Sequence, residues 1–223
     1  MDLNSESPKW AGRLHCLRLT EFLERQHGQE SPLVLRFQQV LRTLPTLEWR
    51  RGPWLAGGAI RRMFDGTPGE SDFDLFFSDE AQLQACLESL LQRPGVKLLY
   101  QNDLNVTLQV TPEPEFGTTM PSFKLQLIKF YFEGPEYVID WFDYTNCQFI
   151  SDGETLMVGE YTLYDIGRKQ LRLHNLHHAA STVRRMLKYA RQDYTVCDGT
   201  INELLKRVAE QPALINEQVR YID

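Results

Sequence analysis

Two aspartates stand either side of one phenylalanine at Asp72-Phe73-Asp74, and thirteen residues (59 to 71) separate them from the pair Gly57-Gly58. In an extended strand, alternate side chains share a face, so the spacing puts both carboxylates on one side. Two carboxylates held that close repel and raise each other's pKa. A divalent cation is the simplest reason to keep them so: Mg²⁺, or Mn²⁺ in its place, takes oxygen ligands and shares one or two carboxylates with substrate phosphates. The glycine pair has a matching use. Without Cβ atoms its backbone can approach a phosphate, and a helix that opens there presents its N-terminal N–H groups. Arg61 falls in the first turns of that helix, where the helix dipole gives no reason for a cation. The plainer readings are a pair of surface acids and a tight strand-to-helix turn; the coincidence of the two motifs favours a phosphate-transfer site. A site with two metals needs a third acid. Asp143 is the first choice and Asp140, in the helical turns before it, the substitute.

The opposite charge is gathered elsewhere. Between Ile166 and Gln192 lie Arg168, Lys169, Arg172, Arg184, Arg185, Lys188 and Arg191, with no acid among them. On a helix from Thr182, the residues Arg184, Lys188 and Arg191 share one face and Val183, Leu187 and Ala190 another. Such a basic face suits a triphosphate or a nucleic-acid backbone, against the plainer reading of a solvated helix that balances acids elsewhere. His174, His177 and His178, spaced as helix neighbours, are expected to pack or touch phosphate rather than bind zinc. Tyr189 and Tyr194 are candidates for stacking on a base or for the core.

The elements that must position these residues follow from patterning. Ser31 and Pro32 open a helix carrying Leu33, Leu35, Phe37, Val40, Leu41 and Leu44. Trp54–Ala56 is a short strand and Ala59–Phe64 a helix. Ser71–Phe77 reads as a strand. Asp79 caps an amphipathic helix with Leu83, Cys86, Leu87, Leu90 and Leu91 on its apolar stripe, and Pro94-Gly95 stops it. Val96–Tyr100, Asn105–Val110 and Phe123–Tyr131 read as strands. A few helical turns start near Pro135, and a strand is expected over Phe142–Ile150. Helices are expected over Tyr161–Lys169, Thr182–Arg191 and Ile201–Glu210, and residues 14 to 23 read as a short helix. The order predicts an α+β fold: a catalytic head over residues 1–152 with its core at 32–152, and a mostly helical C-terminal part over 153–223 that carries the basic helix.

Composition agrees. The chain has 223 residues, 42% hydrophobic and 24% charged, with a formal net charge of −6. Those values exclude wholesale disorder and a uniformly basic nucleic-acid coat, but not a local basic patch. No apolar run reaches the length of a membrane span, and no secretory signal is visible, so a soluble, cytoplasmic protein with no membrane partner is expected. The four cysteines are widely spaced, which predicts free thiols.

Leu55-Ala56-Gly57-Gly58 followed by Asp72-Phe73-Asp74-Leu75 resembles the signature of the DNA polymerase β-like nucleotidyltransferases. Gly57-Gly58-Ala59-Ile60-Arg61-Arg62 and Asp143-Tyr144-Thr145-Asn146 are similar to the GGxxRD-type turn and the RRDFTIN box of tRNA nucleotidyltransferases and bacterial poly(A) polymerases. Here Trp141-Phe142 stand in place of the paired arginines, and Arg62 in place of the turn's aspartate. Overall layout, with Leu125-Gln126-Leu127-Ile128 and then Phe142-Asp143, resembles small nucleotidyltransferase-like proteins of phages and large DNA viruses. The resemblance implies a small mixed sheet that displays Asp72, Asp74 and Asp143, with Asp143 on a neighbouring strand, as ligands of two Mg²⁺ ions. It implies transfer of a nucleoside monophosphate from an NTP to an acceptor hydroxyl, an RNA 3′ end before a protein or a small molecule. Gly57, Gly58, Arg61, Arg184, Arg185 and Lys188 would serve the phosphates. Two other readings remain open: a catalytically silent nucleotide- or RNA-binding module, and a viral accessory interaction protein of the same fold.

Overall fold

A computed structural model describes residues 15–29, 31–65, 72–113 and 121–213. The elements in order are β1 (His15–Arg18), α1 (Leu19–His27), α2 (Pro32–Thr43), β2 (Trp54–Ala56), α3 (Gly58–Asp65), β3 (Phe73–Phe77), α4 (Glu80–Leu91), β4 (Val96–Gln101), β5 (Asn105–Val110), β6 (Phe123–Tyr131), α5 (Pro135–Trp141), a 3₁₀ turn (Thr145–Cys147), β7 (Phe149–Ser151), β8 (Thr155–Val158), α6 (Thr162–Gly167), β9 (Gln170–Leu171), α7 (Ala179–Ala190), β10 (Thr195–Val196) and α8 (Asp198–Glu210). The architecture is α+β. One sheet of eight strands runs β1-β8-β7-β2-β3-β6-β5-β4, and β9 and β10 form a separate parallel pair. Within the large sheet β3 and β6 pair in parallel and the other pairs are antiparallel.

The sheet is larger than the small head expected, because both outer strands on one side were read otherwise. Residues 15–18 extend as β1 and bond to β8 with His15 opposite Val158, where a helix was expected. β8 lies beyond residue 152, in the part expected to be mostly helical. The strand expected over Phe142–Ile150 shrinks to Phe149–Ser151: Asp143 and Tyr144 lie in a connection, and Thr145–Cys147 form the 3₁₀ turn. That turn is fixed by buried polar bonds. The Thr145 hydroxyl donates to Asp165 at 2.6 Å, and the Thr162 hydroxyl donates to the Thr145 carbonyl at 2.8 Å. Local hydroxyl bonds of this kind compete with a sheet ladder for the backbone.

Strand alternation divides the core. Leu55, Phe73, Leu75 and Phe77 face α1–α4 and join Leu23, Phe37, Ile60 and Leu83 in the main apolar cluster. Trp54, Ala56 and Phe76 face the other way and pack with Val138 and Ile139 of α5. Asp74 has the parity of Phe76, so it lies on the α5 side. A third cluster joins Tyr144 and Cys147 to Leu171, Leu173, Tyr189, Tyr194 and Leu204, and seats the tail helices against the sheet. Asp79 caps α4 as expected, its carboxylate accepting from the Gln82 N–H at 2.7 Å. Ser31 occupies the N-cap of α2 without a side-chain cap bond.

Candidate active site

The β2-to-α3 turn is built on Gly57. Its φ is +82°, a region costly for any residue with a Cβ, and an added Cβ would sit 3.2 Å from the Phe142 ring. Its N–H donates to the Phe149 carbonyl at 2.9 Å, which ties the turn to β7. Gly57→Ala is therefore expected to cost about 1–2 kcal/mol in urea unfolding, from the combined backbone and ring strain; a change within 0.3 kcal/mol would refute that account. Gly58 opens α3 and lines the adjoining cavity.

That cavity, about 650 Å³, brings together Gly58, Asp72, Asp74, Asp143, Arg184, Arg185 and Lys188. Asp72 lies just before β3 rather than within it, a correction to the strand drawn from Ser71. It still faces the cavity, held by Gln126 of β6, whose side-chain amide donates to Asp72 Oδ2 at 2.7 Å. Gln126 is 4% exposed and stands opposite Asp74 in the parallel β3–β6 register. Its signal in the sequence was a polar residue alternating with Leu125 and Leu127. Burial, and secondarily the neighbouring Asp72 charge, push the Asp74 carboxyl up to about 7, against the opposing pull of Lys188 and Arg185. Two crowded carboxylates short of counter-charge are a donor set that fits a hard divalent cation.

The third acid is engaged. Asp143 is 6% exposed. Its Oδ2 accepts from the Thr182 hydroxyl at 3.0 Å and pairs with the Arg185 guanidinium. Burial works against the charge of Arg185, but the Asp143 carboxylate outweighs it and the Arg185 pKa is raised. Among the described residues, no three His, Cys, Asp or Glu side chains are grouped closely enough to hold a metal ion. The acids thus share one cavity without converging on one point. The substitute, Asp140, is directed elsewhere: its carboxylate meets His174 Nε2 at 2.8 Å.

Helix α7 presents Arg184, Lys188 and Arg191 to the cavity, as its basic face predicts. The apolar face expected on it does not dock: Val183 is 40% and Leu187 59% exposed. The helix seats instead through Ala179, Thr182 and Tyr189. The Tyr144 hydroxyl donates to the Thr182 carbonyl at 3.0 Å, and Tyr189 and Cys147 meet at 2.8 Å between oxygen and sulfur. Arg61, expected at the phosphates, is 2% exposed. Its guanidinium donates to Gln192 Oε1 at 2.8 Å and lies 5.1 and 5.5 Å from the Tyr189 and Tyr194 ring centres. It joins α3 to the tail; both tyrosines pack in the core, and Arg61 and Tyr189 also line the cavity. The three histidines precede α7 instead of lying on a helix. His177 stacks on Trp141, with centroids 3.6 Å apart. The four cysteines are free, and among the described residues no helix is long and apolar enough to cross a membrane.

The mixed sheet flanked by helices has a nucleotidyltransferase-like fold, similar to that of CCA-adding enzymes. A CCA-adding enzyme in complex with CTP superposes with a TM-score of 0.58 at 17% identity, covering 91% of this chain and 48% of that one. The apo form I of a CCA-adding enzyme gives 0.56 at 14% identity, with 91% and 48% covered. The Thermotoga maritima CCA-adding enzyme complexed with tRNA gives 0.53 at 15% identity, with 88% and 46% covered. At these identities the likeness is one of fold, and the chain spans about half the length of these enzymes. The chain belongs to the Gabija anti-defense 2 (Gad2) family, whose model matches residues 33–169. No curated protein matches it in sequence.

Proposed function

We propose that this Gad2 protein is a metal-dependent nucleotidyltransferase that moves a nucleoside monophosphate from an NTP to an acceptor hydroxyl, and that this transfer serves the anti-defence role in the family's name. An RNA 3′ end is the favoured acceptor, ahead of a protein or a small molecule. The observation that carries the reading is one cavity with Asp72 and Asp74 on its sheet side and Arg184, Arg185 and Lys188 on its helix side. Asp72, Asp74 and, once released, Asp143 would hold Mg²⁺. When bound, Mg²⁺ supplies charge neutralisation on the triphosphate and a more acidic acceptor hydroxyl. The hydroxyl oxygen bonds to the α-phosphorus, the bond from that phosphorus to the oxygen bridging to the β-phosphate breaks, and pyrophosphate leaves. Arg184, Arg185 and Lys188 offset the charge that builds on the pyrophosphate. Gly58 and the start of α3 receive phosphate oxygens through backbone N–H groups. Arg61, held between tyrosines yet lining the same cavity, would offset phosphate charge from that fixed place. The head over residues 1–152 and the helical part over 153–223 would each supply one wall of this site.

The test is transfer of α-labelled nucleotide from each NTP to total RNA, to proteins and to small molecules, with pyrophosphate release followed in parallel. Label transfer that requires Mg²⁺ or Mn²⁺ is expected. Absence of both transfer and pyrophosphate with every acceptor would refute catalysis.

One observation favours a second reading, a catalytically silent nucleotide-binding module: Asp143 is already paired with Arg185 and Thr182. Asp143→Asn separates the two. If Arg185 exchanges Asp143 for the triphosphate, the variant should bind NTP without metal about three- to tenfold more tightly by calorimetry, because the guanidinium no longer starts from an ion pair. Metal-dependent transfer should meanwhile fall by on the order of 10²–10³. A silent module predicts the gain in binding with no activity to lose. Unchanged NTP affinity would rule out the exchange.

A further inference from the structure

Beyond the acids and the basic helix, the cavity has an aromatic wall to which neither the family nor the likeness of fold gives a role. Trp141 ends α5 with its ring stacked on His177 at 3.6 Å between centroids and 20° between planes. Phe130 stands 5.4 Å from Trp141 on the same wall. All three are half-buried, so each keeps part of its ring toward the cavity while its neighbours fix its position. Opposite them, Arg184, Lys188 and Arg191 line the same cavity. Aromatic faces beside spaced cations are the combination that holds single-stranded nucleic acid. Any base offers a π-face to stack, and the phosphates between bases meet the cations. A protein or small-molecule acceptor would gain little from such a wall.

Resting on the proposed transfer reaction, we propose that the acceptor is a single-stranded nucleic acid whose 3′-terminal base stacks on the Trp141 platform, with its backbone along α7. In the proposed reaction Asp143 would hold the Mg²⁺ that acidifies the acceptor hydroxyl. Trp141 lines the same cavity as Asp143, and the platform is assigned to the acceptor on that basis. Stacking also implies tolerance of the terminal base's identity, because every base offers a π-face.

The experiment measures binding of a short single-stranded RNA at fixed ionic strength without metal, with either an ordinary or an abasic 3′-terminal nucleotide. The proteins are the wild type, Trp141→Ala and Trp141→Phe. Trp141→Ala should weaken the ordinary oligonucleotide about five- to hundredfold, and Trp141→Phe should restore most of that. The abasic end should cost the wild type as much and cost Trp141→Ala nothing further. If the two losses multiply, the base and the ring do not meet and the proposal fails. It also fails if the variant weakens NTP binding but not RNA binding, which would assign the platform to the incoming nucleotide. Failure of the wild type to bind the RNA overturns it too. The transfer reaction is judged separately, by label transfer to protein or small-molecule acceptors. The abasic arm on the wild type does not depend on how any variant folds.

Discussion

Replacing Asp74 by asparagine is expected to lower nucleotidyl transfer by at least about 10³-fold while making the folded chain more stable above neutrality. The two effects share a cause. The carboxyl of Asp74 is pushed from an ordinary value of 3.8 to about 7, first by burial and then by Asp72. Below about pH 4 it is protonated in both folded and unfolded chains and contributes nothing. As pH rises from 4 to 7, the unfolded chain gives up this proton while the folded chain keeps it, so stability falls. Above 7 the folded chain carries the full cost of the buried charge, about 2–4 kcal/mol. Asparagine has no such titration. The urea midpoints of wild type and variant should diverge between pH 4 and 7, the variant ending higher. Mg²⁺ should then close the gap at pH 8 by stabilising the wild type alone. Parallel stability curves from pH 4 to 8 would mean that no repulsion is stored between these acids.

The second large effect is structural. Arg61→Ala should destabilise the protein by about 3 kcal/mol in urea unfolding, since it empties a packed site and removes the cation from between two rings. Arg61 is 2% exposed, bonded to Gln192 and placed over Tyr189 and Tyr194. Arg61→Lys should recover little, because an ammonium cannot reproduce the planar guanidinium between the rings while also reaching Gln192. A loss under about 0.5 kcal/mol would show that α7 is held without it. The two predictions pull apart: Asp74 costs the folded chain stability and is proposed to serve the site, whereas Arg61 supports the fold while lining the same cavity.

How far the sequence carried this picture depended on whether a feature was periodic or local. The helix after the glycine turn, the alternation that faces Asp74 away from the main core, and the basic face of α7 repeat at 2.0 or 3.6 residues and were legible; the turn itself was legible from its paired glycines. β1 and β8 were not, because four-residue strands carry too little pattern to distinguish from a loop or a helical turn. The irregular connection at Asp143 was missed for another reason. Phe142–Ile150 has the composition of a strand, but the Thr145 and Thr162 hydroxyls hold its backbone in a 3₁₀ turn, and Thr162 is seventeen residues away. The role of Arg61 could not be read locally either: its partners, Tyr189, Gln192 and Tyr194, lie far along the chain. A cation near a glycine turn reads as a phosphate ligand until the fold brings two tyrosines to it. The same distance hid Thr182, which looked like a helix start and proved to be a partner of Asp143.

The sheet order also sets when the site can exist during folding. β2, which leads into the glycine turn, lies between β3 and β7, and it pairs with β7 at Leu55 opposite Ser151, about a hundred residues further along the chain. The parallel pairing of β3 with β6, which sets Gln126 beside the acids, spans about fifty residues. Helices α2 and α4 and the β4–β5–β6 meander need only near neighbours and can form early. The acids and their basic counterpart meet only after loop closures of about a hundred residues. A nascent or partly unfolded chain therefore carries no assembled cavity, and the nucleotide binding proposed for it would be a late reporter of complete folding.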